Sequence, residues 1–260
     1  MVNAWSERLR QGHRTSPFPK QPPALPERYR GLPKIDASKC PDGCRECVDA
    51  CPTDAVSIAS SGPRIDLGRC LFCTECVQAC PVGAIAYTQE YRMATRTRQA
   101  LVVGQDGVKL AEALEKKSRA LFGHSLKLRQ VSAGGCNACE AEVNVLNTVV
   151  FDIGRFGIQI VASPRHADGL LITGPVTQNM RLALQKTYAA VPSPKLVIAV
   201  GGCAIAGGPF RDHPQVSNGA DAVVPVDLYV PGCPPHPYTI LDGLLRLLGR
   251  IDEKGRGLQT

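Results

Sequence analysis

Twelve cysteines stand out in this 260-residue chain, and their spacing sorts them into three sets of four with none left over. Eight fall in two adjoining copies of one pattern: Cys40, Cys44, Cys47 and Cys51 with Pro52, then Cys70, Cys73, Cys76 and Cys80 with Pro81. The remaining four, Cys136, Cys139, Cys203 and Cys233, are spread over the second half. The opening stretch, MVNAWSERLRQGHRTSPFPK, has cationic residues but no apolar core behind them. No secretory or twin-arginine signal is readable, so the expected address is the cytoplasm. A reducing compartment disfavours disulfides, and twelve thiols there point to bound metal.

Cys70-x2-Cys73-x2-Cys76-x3-Cys80-Pro81 matches the bacterial ferredoxin run, in which three close cysteines hold one 4Fe-4S cluster and the fourth reaches the other. The first copy has one extra residue in its Asp42-Gly43 loop, a bend that glycine makes tolerable. The pair resembles a two-cluster ferredoxin domain. That resemblance implies crosswise ligation, with Cys40, Cys44, Cys47 and Cys80 on one cluster and Cys70, Cys73, Cys76 and Cys51 on the other. A pair of zinc ribbons is the competing reading. Zinc uses separated Cys-x2-Cys pairs, whereas here a triplet and a Cys-Pro occur twice.

The elements that must position the last four cysteines are apolar runs alternating with helical patterns. LKLRQVS precedes a helix from about Ala141; IQIVAS and GLLITGPV precede one from about Gln178; KLVIAVGGC and VPVDLYVPGC precede one from about Pro235 to Arg250. Runs of Val, Ile and Leu with helices between them imply a parallel sheet covered on both faces. Cys136 and Cys139, Cys203, and Cys233 each follow one of these runs. The carboxyl ends of parallel strands share one edge, where residues far apart in sequence converge. The four thiols are therefore expected to hold a third 4Fe-4S cluster. Packing cysteines in a core are the alternative, which Gly-rich and Pro-rich turns around them disfavour.

GGCNACEAEV, SPRHADGLLITGPVT, VIAVGGCAIAGG and VDLYVPGCPPHPYTILDGLLRLLG together resemble the small subunit of membrane-bound, energy-converting (group 4, formate hydrogenlyase-type) nickel-iron hydrogenases. That subunit is similar to the complex I 20 kDa subunit. The likeness covers about residues 123–250, and the ferredoxin likeness about 35–88. Complex I subunits place the first two cluster cysteines side by side, while the hydrogenase type separates them by two residues, as Cys136 and Cys139 are here. The resemblance implies a fold, an α+β ferredoxin-like domain followed by a flavodoxin-like α/β domain with a parallel sheet. It also implies an electron-transfer subunit with no substrate-converting site of its own. Its partners would be a hydrogenase large subunit, either nickel-iron or like the complex I 49 kDa subunit, membrane-arm subunits, and a soluble ferredoxin or a formate- or CO-oxidising module. The complex would sit on the inner face of the cell membrane. A complex I-like quinone reductase, or a related complex without hydrogen chemistry, is the rival. Two further residues are candidates for tuning the third cluster. Glu140 suits either the positive end of its helix or a proton or redox role facing a partner. His236, three residues after Cys233, suits either solvent exposure or a hydrogen bond toward cluster sulfur. His166 and Asp168 read as structural.

The remainder divides the chain into an extended Pro-rich basic arm (1–34), the ferredoxin domain (35–89), a helical linker (90–125) and the α/β domain (126–260). The arm holds six prolines and a possible short helix at Trp5–Leu9, and reads as a tail or as a strap on a partner subunit. The linker's Leu110, Leu114 and Leu121 suggest one amphipathic helix from an Asp106 cap to Gly123. Residues 1–34 and 90–129 each carry a net +5, residues 35–89 a net −3, and residues 130–260 balance. A metal-stabilised nucleic-acid-binding protein would suit that basicity. Aromatic residues are only 5% and not interleaved with the basic runs, so no nucleic-acid partner is expected. No GxxxxGK phosphate loop and no strand-borne GxGxxG occurs, and the longest apolar stretch, Leu196–Phe210, is broken by four glycines and a proline.

Overall fold

The computed structural model describes residues 3–12, 14–122 and 125–252. The repeat at residues 40–88 folds as two copies of one small unit. Each copy places a one-turn helix between its second and fourth cysteines, α2 (Glu46–Asp49) and α3 (Glu75–Gln78), with a short strand after the Cys-Pro turn, β2 (Val56–Ala59) and β4 (Ile85–Tyr87). Preceding them are α1 (Ala4–Gln11) and β1 (Pro33–Ile35), and β3 (Gly62–Asp66) lies between the copies. Antiparallel pairing joins β1 to β4 and β2 to β3, and β5 (Val102–Val103) closes the second sheet. The extra residue of the first copy is taken up where the sequence suggested, at Gly43, with φ +77°.

The second half is built on five parallel strands: β6 (Leu126–Ser132), β7 (Ile158–Ile160), β8 (Gly169–Thr173), β9 (Leu196–Val200) and β10 (Leu228–Val230). Their spatial order is β7-β6-β8-β9-β10, a doubly wound order of 2-1-3-4-5 with its switch point between β6 and β8. Central strands β8 and β9 are buried at every residue, which is why GLLIT and LVIAV show no alternation. The connecting helices are α5 (Ala138–Val145), α6 (Gln178–Ala190) and α7 (Gly202–Ala206), and α8 (Pro237–Leu247) follows the last strand. Every residue of α8 is buried, including Asp242 and Arg246, which pair at 2.7 Å.

One apolar core runs from Ile65, Leu67 and Ile85 of the ferredoxin half into Val131, Ile172 and Ala204 of the α/β half. Three polar ties add to it. Arg98 grips Asp66 with two bonds of 2.7 and 2.6 Å, and Arg211 reaches Asp54 at 2.6 Å and the Thr53 carbonyl at 3.1 Å. Thr95 exchanges backbone hydrogen bonds with Tyr229 of β10.

Two expectations need correction. Residues 106–115 are not helical, and only α4 (Lys116–Phe122) is. Gln105 and Asp106 form a turn instead of a helix cap. Beyond it Ala111 donates to the Ala94 carbonyl at 2.7 Å and Leu114 to that of Leu247 at 2.9 Å. Burying Leu114 and bonding the backbone to neighbouring segments outweighs a local helix whose Leu121 is left exposed. The proposed stop, Gly123, lies outside the described residues. The arm, in turn, is not a free tail from Ser16 onward. The Ser16 amide donates to the Val150 carbonyl, the Arg155 guanidinium to the Ser16 and Phe18 carbonyls, and Phe18 is buried against Tyr91 and Tyr238. Farther along, Gly31 and Leu32 bond Thr88 and Glu90, so the strap binds this chain's own two halves. The expected short helix is present as α1, with no buried residue.

Candidate metal centres

Each Cys-Pro turn aims the backbone at its own sulfur. The Ala55 amide lies 3.2 Å from Cys51 Sγ and the Ala84 amide 3.2 Å from Cys80 Sγ, the same bond in both copies. In the second triplet, Phe72 takes a left-handed φ of +56°, and its amide donates to Cys70 Sγ at 3.3 Å. A non-glycine residue is held there only when surrounding structure over-determines it.

The thiols gather crosswise. Cys40 and Cys47 are charge neighbours of Cys80, while Cys70 and Cys76 are charge neighbours of Cys51. Cys47 also faces Cys76, so the two sets adjoin. Burial, then the neighbouring thiols, pushes Cys47 up to about 11. Cys70 is likewise pushed up to about 11 by burial, against hydrogen bonds from Tyr87 and Phe72.

At the carboxyl edge of the parallel sheet the third set assembles. Asn137, at φ +72°, turns the chain between Cys136 and Cys139; Cys203 opens α7 after β9; Cys233 follows β10. Cys139 has Cys203, Cys233 and Cys136 as charge neighbours. Burial, then Cys233, pushes Cys203 up to about 11. The approach is close: a Cβ on Gly201, whose φ is +90°, would stand 2.4 Å from Cys139 Sγ. Cys136 and Cys233 are exposed, so this set opens onto the surface.

The donor set fits iron-sulfur clusters. Every charged group that shifts these seven raised thiols is another thiol, Asp42 or Glu140. Such a gathering holds thiolates only around a bound polycation. A triplet closed by Cys-Pro, twice over, suits two cubes that each take one thiolate per iron, and not the separated Cys-x2-Cys pairs that zinc uses.

Glu140 is buried, and its Oε1 accepts from Ser132 and Thr173 hydroxyls, each at 2.7 Å, tying together the ends of β6 and β8 beneath the third set. Burial works to raise its carboxyl, but the Thr173 and Ser132 bonds prevail and hold it below the usual carboxylate range. His236 is half-buried rather than exposed. Its Nδ1 accepts the Tyr238 amide at 3.2 Å, capping α8, and its ring stacks on Tyr238. With Nδ1 so used, only Nε2 remains for the cavity of about 380 Å³ that His236 lines with Arg30, Cys73 and Cys233. Asp168 is structural, accepting the Lys127 amide at 2.7 Å.

Sequence reasoning passed over two residues at these sites. Arg30, from the arm, donates to the Phe72 and Cys73 carbonyls at 2.9 and 3.2 Å. The Tyr87 hydroxyl lies 3.2 Å from Cys70 Sγ. Burial, then the neighbouring thiols, pushes the Tyr87 phenol far above its ordinary range, so it stays a donor. Only the second had a signal, since at the repeat's 29-residue offset Tyr87 stands where the first copy has Ile58.

Paired cysteine repeats docked on a parallel sheet with four more thiols at its edge define an iron-sulfur electron-transfer chain. Residues 26–84 match the 4Fe-4S dicluster domain family, and residues 136–247 match the family described as NADH ubiquinone oxidoreductase, 20 Kd subunit. The chain is 43% identical over 144 residues to formate hydrogenlyase subunit 7 of Escherichia coli, covering 55% of this chain and 54% of that one. It therefore spans about half of that relative. It is 40% identical over 147 residues to the probable membrane-bound hydrogenase subunit mbhJ of Pyrococcus furiosus, covering 55% of this chain and 88% of the relative. It is also 43% identical over 125 residues to an NADH-quinone oxidoreductase subunit of Heliobacterium modesticaldum, covering 48% and 71%. The chain belongs to the NADH ubiquinone oxidoreductase 20 Kd subunit family, with a ferredoxin-type 4Fe-4S domain ahead of the family's α/β region. No helix among the described residues is long and apolar enough to cross a membrane.

Proposed function

We propose that this chain is the electron-transfer subunit of a membrane-bound nickel-iron hydrogenase complex of the formate hydrogenlyase type. Three 4Fe-4S clusters, when bound, supply one-electron carriage. Cys136, Cys139, Cys203 and Cys233 would hold the one facing the large subunit, Cys70, Cys73, Cys76 and Cys51 the inner ferredoxin cluster, and Cys40, Cys44, Cys47 and Cys80 the outer one. The protein's part is to space them, bury them and aim donors at their sulfurs. The chain divides for this purpose into an arm (1–34), a ferredoxin domain (35–89), a linker (90–125) and an α/β domain (126–260). The observation that carries the reading is adjacency. A Cβ on Gly202, beside Cys203, would stand 3.4 Å from the Gly68 carbonyl and 3.7 Å from that of Cys70, and Cys73 and Cys233 line one cavity. The three thiol sets thus follow one another from the exposed sheet edge to the half-buried Cys40 and Cys44. A soluble ferredoxin or a formate- or CO-oxidising module would exchange electrons at that outer end, on the cytoplasmic face, with membrane-arm subunits holding the complex to the bilayer.

A second reading, a complex I-like quinone reductase, is favoured by the likeness to the NADH-quinone oxidoreductase subunit of Heliobacterium modesticaldum. The separation of Cys136 from Cys139 by two residues weighs for the hydrogenase. The test is the purified complex. Hydrogen is expected to reduce all three clusters and a low-potential dye, and Cys203→Ser to block dye reduction while hydrogen-deuterium exchange at the large subunit persists. An intact complex that neither consumes nor evolves hydrogen but turns over quinone overturns the reading.

A further inference from the structure

We propose that Tyr87 is a redox-tuning residue: its hydroxyl donates to Cys70 Sγ and raises the reduction potential of the inner ferredoxin cluster, offsetting what burial lowers. The inference rests on the cluster assignment proposed above and goes beyond it.

Once Cys70 is an iron-bound thiolate it has no proton to give, so at 3.2 Å the hydroxyl is the donor. The ring that carries it is fixed twice over, by the pairing of Tyr87 with Pro33 across β4 and β1 and by contact with Phe72 at 5.8 Å between ring centroids. Reduction adds one negative charge to a cluster, and a hydrogen bond to its sulfur stabilises that added charge. Burial acts the other way, because a poorly solvated site resists extra charge. The inner set is the more buried of the two: Cys70 and Cys76 are 6% and 5% exposed with Cys51 and Cys73 half-buried, whereas in the outer set Cys47 alone is buried and Cys40, Cys44 and Cys80 are half-buried.

The internal repeat supplies the control. Amides at Ala55 and Ala84 give each cluster the same N–H···S bond, so that contribution cancels between them. Two bonds do not cancel: the Phe72 amide to Cys70 Sγ at 3.3 Å, and the Tyr87 hydroxyl, whose matching position is Ile58 and which is the one a side-chain substitution removes. Among the described residues no side-chain donor reaches Cys40, Cys44, Cys47 or Cys80. Thr53 approaches the inner set at 4.0 Å from Cys51 Sγ, but its hydroxyl is committed to the Arg69 carbonyl at 2.8 Å. Placed between two other clusters, an inner site with burial alone would be an uphill step for the electron in either direction. Tyr87 lessens that step.

The experiment is an anaerobic potentiometric titration of the full chain, followed by EPR of both ferredoxin signals. In Tyr87→Phe, the ratio of reduced to oxidised inner cluster at fixed ambient potential should fall about tenfold, or about 59 mV for a one-electron couple. The outer cluster should be unmoved and the iron content retained. Installing 3-fluorotyrosine at position 87, a stronger donor of nearly the same shape, should raise that ratio at least twofold. If Phe costs the inner cluster its iron, the fluorotyrosine protein decides the matter alone. An inner-cluster ratio unchanged within twofold in the iron-replete proteins, or equal shifts in both clusters, overturns the proposal. Failure of the cluster assignment has a different signature: Cys51→Ala and Cys73→Ala would then abolish different signals, whatever residue 87 is.

Discussion

Gly201→Ala isolates the third metal centre from the rest of the molecule. The added Cβ would stand 2.4 Å from Cys139 Sγ, against ordinary contact beginning near 3.4 Å, so the sulfur must retreat by about 1 Å. Metal-ligand distances tolerate only about 0.2 Å, and the retreat exceeds that several-fold. Alanine at φ +90° also carries a left-handed cost of roughly 1–2 kcal/mol. Gly107→Ala is the matched control, because its φ is +76° and nothing stands within 4 Å of the new atom. Iron analysis of anaerobically prepared protein should give about twelve iron per chain for the parent and the control, and about eight for Gly201→Ala. EPR should find both ferredoxin signals intact in all three. Twelve iron and an unaltered third-cluster signal in Gly201→Ala would refute the reasoning, since the displaced Cys139 could not then be a ligand.

Cys80→Ala is expected to perturb the same EPR signal as Cys44→Ala, and a match to Cys73→Ala instead would dissolve the crossed assignment. Phe18→Ala removes a side chain only 2% exposed and should cost about 3–5 kcal/mol of local anchoring. Hydrogen exchange at the Ser16 and Leu32 amides should accelerate in that variant while the iron content stays constant. Anaerobic removal of iron should lower the melting temperature, each kcal/mol of lost stability counting for about 2–4 °C in a domain of this size. Apo protein melting with the holo protein would show that the buried thiols need no bound cation.

Local signals in the sequence carry the expected ligand chemistry. Triplets closed by Cys-Pro wind a short chain segment around one centre, and no distant contact is needed to say so. The parallel sheet was legible for a similar reason, because strands buried on both faces must be continuously apolar, as GLLIT and LVIAV are. Convergence of Cys136, Cys139, Cys203 and Cys233 on one edge follows from that topology. What the tertiary structure decided is whatever depends on which surface a segment meets. Residues 106–115 have helical periodicity, yet they form no helix because Ala94 and Leu247 offer their backbone partners. Six prolines suggested an extended arm, but only the packing of Phe18 against Tyr91 and Tyr238 fixed where it lies on this chain. Glu140 looked like a helix-end carboxylate until Ser132 and Thr173 claimed it. A hydrogen bond such as that from Tyr87 to Cys70 depends on a distance across 17 residues, and distances of that kind are set by packing, which spacing along a chain does not encode.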